Sequence, residues 1–176
     1  FPMFSKLQTD TPSLRTEYAR GIGLIAAIMV PLTVTIIVLA PEIIRALYGD
    51  RWNEADAPLQ ILALFACFRA LWLLNGYLFN AIGRPHIDFY MNLGRLMAMV
   101  ALLFPLTKVF GLVGAAAVVA IPMAVQYVIG LHLSRRYNGS PYSATVGPLV
   151  LAIGQGLVLG IILFAAKLVM TADPKL

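Results

Sequence analysis

From residue 21 to residue 40 the chain carries no charged side chain, and a helix of that length, rising 1.5 Å per residue, matches the roughly 30 Å hydrocarbon layer of a bilayer. Four further apolar stretches follow, at about 58–82, 89–107, 110–133 and 145–170. Apolar core helices of soluble domains seldom run uninterrupted beyond about 14 residues. The pattern therefore predicts an all-α fold: a polytopic integral membrane helix bundle with about five transmembrane helices. Composition agrees, with 60% hydrophobic and 12% charged residues against about 25% charged in an average globular domain. A soluble domain of this size could not hide so much apolar surface.

The connectors are polar and short. Residues 1–20 mix Lys6, Asp10, Arg15, Glu17 and Arg20 with Pro2 and Pro12, and read as a connector ending in an amphipathic lead-in helix. Pro31 interrupts the first span, a break that membrane helices tolerate when neighbours satisfy the freed carbonyl. Residues 41–57 hold Glu42, Arg45, Asp50, Arg51, Glu54 and Asp56 and are expected to form a loop at the membrane surface, with Tyr48 and Trp52 as interfacial aromatics. Gly83, Arg84 and Pro85 form the next turn, and Arg135 and Arg136 close the fourth span. The short connections imply antiparallel neighbours in one bundle.

The net charge of +5 does not point to nucleic acid, because the basic residues are scattered between and within apolar runs, as membrane topology requires. Cys67 is the one cysteine, which excludes a disulfide framework or a thiolate cluster. No signal-peptide pattern opens the chain, and a beginning at Phe1 leads us to expect that an earlier part is missing. His86 and His132 are too isolated for a metal site, and no HExxH motif, phosphate-binding glycine loop or GxSxG occurs. Ser5, Ser13, Ser134, Ser140 and Ser143 lie in loops or at boundaries without an evident base. We therefore expect no catalytic residue, no metal and no cofactor, and a binding surface or passage rather than an enzyme.

Charge inside the spans is the exception that carries information. All eight carboxylates fall outside the spans or at their ends, so no coupling acid of the kind found in pumps is expected in this part. Arg69 and Arg95 do lie inside. Arg69 interrupts the second span, at a cost of roughly 2.5–3.5 kcal/mol on the insertion scale, which about ten Leu, Ile and Phe residues at roughly 0.3–0.6 kcal/mol each offset. At 100° per residue Leu62, Arg69, Gly76 and Asn80 share one face, and Asp88, Asn92, Arg95 and Met99 share another on the third span. Two arginine-bearing helices facing a watered cavity would suit a phosphate or acidic sugar, because guanidinium binds such oxyanions bidentately. The candidate substrate-binding residues are Arg69, Arg95, Asn80, Asn92 and Gln126. Three of them also have a structural reading: Arg95 snorkelling to the interface or pairing with Asp88, Arg69 bonding helix-end carbonyls, and Gln126, with Gly130, packing between helices. Gly156 and Gly160 form a GxxxG pair, a weak signal in glycine-rich membrane helices.

The boundary motifs add a resemblance. Phe1-Pro2-Met3-Phe4-Ser5, Leu47-Tyr48-Gly49-Asp50-Arg51-Trp52 ahead of Ala55, Ala81-Ile82-Gly83-Arg84-Pro85, and Gly111-Leu112-Val113-Gly114-Ala115-Ala116 together resemble the oligosaccharide flippase, or Wzx-type polysaccharide transporter, family of the multidrug, oligosaccharidyl-lipid and polysaccharide exporter superfamily. The resemblance covers residues 1 to about 135. It implies a transporter of two helical lobes in the bacterial inner membrane, of which residues 1–176 are a C-terminal-half fragment, most of the second lobe. It further implies alternating access, a cationic central cavity, a lipid-linked anionic oligosaccharide as substrate, and membrane lipids and the missing N-terminal lobe as partners, with no nucleic acid. The implied orientation puts residues 1–20, the Gly83 turn and the Arg135 loop on the cytoplasmic side. The alternatives are another exporter of the superfamily, for drugs or a peptidoglycan precursor, a membrane-embedded enzyme acting on lipid-linked sugars, and a non-transporting membrane scaffold.

Overall fold

A computed structural model describes residues 11–139 and 142–172. Helix α1 (Thr11–Tyr48) leads through a 3-10 turn (Asp50–Ala55) to α2 (Asp56–Ala81), α3 (Pro85–Asn138) and α4 (Tyr142–Ala172). Each of these four helices holds a segment long and apolar enough to cross a membrane, and no strand occurs among the described residues. The all-α membrane bundle read from the sequence is the observed fold class.

Helix α3 is two helices joined at one residue. Straight, its 54 residues would reach about 80 Å, far beyond the hydrocarbon layer. At Gly111 the backbone leaves the helical region, with φ 56° and ψ −126°, a conformation open to glycine because it has no Cβ to clash. Arg95 then lies beside Met123 and Asn92 beside Gln126, so the arm 112–138 runs back along the arm 85–110. The described residues thus make five helical passes from four helices.

The expected surface loop at 41–57 needs correction. Helix α1 continues through Pro41 to Tyr48, and only Gly49 and the 3-10 turn Asp50–Ala55 leave the α conformation. Proline removes the amide that would bond the carbonyl four residues earlier, here that of Ile37. Gln60 of α2 supplies the missing donor, its Nε2 lying 2.9 Å from the Ile37 oxygen, so the helix passes the proline intact. Upstream, α1 is already helical from Thr11, and the Phe1–Ser5 motif lies outside the described residues.

Helix α2 is the centre of the bundle, because it contributes to all three buried clusters. Leu74 and Leu78 pack with Tyr18 and Ile22 of α1. Cys67 and Leu71 meet Ala26, Tyr127 and Ala152. Trp72 and Phe79 meet Ile87 and Met123 of α3. By contrast, Ile87 is the one fully buried position of the arm 85–110. That arm's apolar side chains, such as Leu96, Met97 and Phe104, are exposed, as lipid or further protein would require.

Candidate functional site

Helix α2 presents two consecutive residues, about 100° apart, to different neighbours, and the site follows from that. Asn75 points inward and is fully buried. The Tyr18 hydroxyl donates to Asn75 Oδ1 at 2.8 Å, Ser134 Oγ lies 2.5 Å from the same oxygen, and Ser134 also reaches the Gly130 carbonyl at 2.7 Å. Three helices are tied at one level by groups for which no water competes, where a hydrogen bond lost by one partner costs about 1–3 kcal/mol. This fixes the rotation of α2. Gly76, the next residue, then faces α3, and the space its missing side chain leaves is taken by Asp88, whose Oδ1 would lie 3.3 Å from a Cβ placed there.

Around Gly76 a groove of about 190 Å³ opens between α2 and the arm 85–110, lined by Arg69, Trp72, Gly76, Asn80, Asp88 and Asn92 among others. At about 30 Å³ per water, this is on the order of six water volumes, room for one phosphate or one sugar ring. The two helices run antiparallel, with Gly76 level with Asp88 and Arg69 therefore near the level of Arg95. Arg95 lies within electrostatic reach of both Arg69 and Asp88. No salt bridge joins either arginine to a carboxylate among the described residues.

Of the five residues singled out from the sequence, Arg69, Asn80 and Asn92 line the groove. Arg95 and Gln126 lie behind it. One Arg95 Nη contacts the Met123 sulfur at 3.9 Å, and its buried Nε has no hydrogen-bond partner. Gln126, 2% exposed, donates to Asn92 Oδ1 at 3.4 Å, while Asn92 Nδ2 donates to the Asp88 carbonyl at 2.8 Å. Gln126 therefore orients Asn92 rather than facing the groove. Asn80 spends its amide on the Gly76 carbonyl of its own helix, at 2.8 Å, which leaves its oxygen as an acceptor.

From the sequence alone Asp88 stands at a span end, with no role beyond pairing with Arg95. In the fold it is a wall of the groove, and its Oδ1 is buried without a hydrogen-bond partner. A signal existed, since Asp88, Asn92 and Arg95 fall on one helical face; the depth of the burial depended on Gly76 of another helix. Ser134 was read as a boundary residue beside Arg135, yet it is 3% exposed and closes the buried network. Chemically the groove offers guanidinium donors for an oxyanion and amides for hydroxyl groups. Among the described residues no group of three or more His, Cys, Asp or Glu side chains could hold a metal ion.

Comparison with known proteins points one way. The family model described as "Polysaccharide biosynthesis protein" matches residues 1–57. The teichuronic acid biosynthesis protein TuaB of Bacillus subtilis is 26% identical across the whole of this chain, which spans 38% of that protein. The lipopolysaccharide biosynthesis protein WzxC of Escherichia coli is 28% identical over 52% of the chain and 19% of its own length. The amylovoran biosynthesis protein AmsL of Erwinia amylovora is 29% identical over 52% of the chain and 24% of its own length. No solved structure matches the chain significantly. The chain thus spans well under half the length of these curated relatives.

Proposed function

From a multi-pass bacterial membrane chain whose matches support the oligosaccharide flippase family, we propose that the complete protein flips a polyprenyl-diphosphate-linked oligosaccharide across the inner membrane, for the biosynthesis of an extracellular polysaccharide. Residues 1–176 form most of the second lobe, and an N-terminal lobe of the same protein completes the path. The protein is a transporter and not an enzyme. The relatives are named for teichuronic acid, lipopolysaccharide and amylovoran biosynthesis, which favours a glycan cargo over a drug.

The observation that carries the reading is the position of Arg69: a guanidinium in an apolar helix, opening on a polar groove with no carboxylate among the described residues paired to it. A charge at such depth costs roughly 2.5–3.5 kcal/mol on the insertion scale and is retained where it meets an anion or water. Arg69 binds a phosphate or uronate oxygen pair of the head group, Asn80 and Asn92 take sugar hydroxyls, and Arg95 adds positive potential from behind. The polyprenyl tail stays in lipid, outside the polar groove.

The test is glycan export by the full-length protein at equal membrane abundance. Arg69→Ala is expected to abolish export while membrane insertion stays normal or improves. Arg69→Lys retains part of the activity if charge alone attracts the anion, and little if bidentate geometry is needed. Wild-type export by Arg69→Ala would overturn the reading.

A further inference from the structure

The geometry points to Asp88 as a built-in competitor for the substrate's anionic group at Arg69 and Arg95, a residue that sets how strong an oxyanion must be to occupy the groove. This rests on the oxyanion-binding reading of that groove and deepens it. Three observations carry it. Asp88 lines the same groove as Arg69. Its Oδ1 and the Nε of Arg95 are both buried and both lack a hydrogen-bond partner, so complementary charged groups two turns apart on one helix face stand unpaired. The access of Asp88 depends on Gly76, where any side chain would press on the carboxylate.

Spacing makes the competition possible. Asp88 and Arg95 are seven residues apart on one helix face, about 10 Å along the axis, and Gly76 and Arg69 repeat that offset on α2. An arginine side chain spans most of such a distance, so a change of rotamer carries a guanidinium from the oxyanion position toward Asp88. In the structure Asp88 is paired with neither arginine, so its charge acts on the groove through space. An incoming phosphate or uronate is held by guanidinium against that opposing charge, and a guanidinium that swings toward Asp88 lets it go. A weakly charged head group would not be held against it. Asn92, held by Gln126 and bonded to the Asp88 carbonyl, keeps the first turn of α3 in place during the exchange.

The competing structural role is specific. Asp88 stands in the first turn of α3, where a carboxylate favours the helix dipole. That role affects stability alone, so a binding measurement separates the two. The experiment uses the full-length transporter purified in detergent, titrated with inorganic pyrophosphate in one arm and with glucuronate in the other. These arms distinguish a diphosphate from an acidic sugar as the recognised group. Thermal unfolding is recorded for every variant.

Removing one charge about 10 Å from the binding point, at an effective dielectric near 20, is expected to shift the constant by roughly tenfold for each charge the ligand carries. Asp88→Asn should therefore bind glucuronate about tenfold more tightly than wild type, or pyrophosphate by more than that, or both, and its export should fall because release slows. Asp88→Ser, which keeps a polar group in the first helical turn without the charge, should show the same tightening. Asp88→Glu, which keeps the charge, should bind more weakly than either neutral variant. Unchanged or weaker binding by both neutral variants, with Arg69→Ala still abolishing binding, would overturn the competitor role and leave the groove reading standing. Unchanged binding by Arg69→Ala would instead remove the groove reading itself.

Discussion

The two flanks of the α1–α2 pair are closed by opposite means. Helix α4 lies on α1 through small residues: Gly156 meets Val30 and Val34, Gly160 meets Val34, and Pro148 meets Gly23. Helix α3 lies on α2 partly through the large side chains Trp72, Phe79 and Met123, and partly through a groove where charged groups stand apart. Between helices in lipid no hydrophobic force favours contact, so close backbone approach and hydrogen bonds must supply the adhesion. The first flank uses that adhesion fully. The second gives part of it up along the groove, which teaches where the protein keeps room for something else.

Filling that room is the sharpest way to break the comparison. Gly76→Leu on the full-length protein places an isobutyl group where Asp88 now sits, and export is expected to fall at least tenfold with little change in the unfolding temperature. The reverse pattern, normal export with a strongly destabilised protein, would show that the α2–α3 flank is packing like the other. On the opposite flank Gly156→Leu drives a side chain into Val30 and Val34. Overpacking of this kind costs about 1–3 kcal/mol, to be read as a lower unfolding temperature in detergent. Export per folded molecule should be retained, since this flank lies away from the groove. A loss of export at full stability would move the transport path toward α4.

These contrasts explain what the sequence could and could not reveal. Run length exposes membrane helices because the bilayer has a fixed thickness, and an arginine inside such a run is conspicuous because few compensations exist there. Arg69, Asn80 and Asn92 could accordingly be picked out and do meet in one groove. Asp88 was less legible because its burial is made by Gly76 of another helix. The helical stretch after Pro41 was read as loop for the same kind of reason: charges at 42, 45 and 50 resemble a surface connector, and the donor that rescues the Ile37 carbonyl comes from Gln60, 23 residues away. Gly156 and Gly160 form a motif whose partner no local pattern names. The residues that escaped sequence reading are those whose role is defined by a second helix.

The smallest effect expected concerns a charged contact on the small-residue flank. Lys167 Nζ lies 2.7 Å from Glu42 Oε1, linking α4 to α1 beyond the Gly160 contact, and the two side chains are 32% and 44% exposed. Such partly exposed pairs contribute about 0.2–1 kcal/mol, because water already solvates both charges and two long side chains must be held still. Adhesion on this flank should then come from the glycines and not from the ion pair. Glu42→Gln keeps the shape and one acceptor oxygen while removing the charge, so its unfolding temperature is expected to drop by less than that of Gly156→Leu, with export unchanged. Raising the salt concentration should narrow the gap between Glu42→Gln and wild type further, as screening weakens the exposed pair. A loss as large as that of Gly156→Leu would reverse the ranking. It would mean that this contact lies in a drier environment than its exposure implies, and that the α1–α4 flank is locked electrostatically at its end.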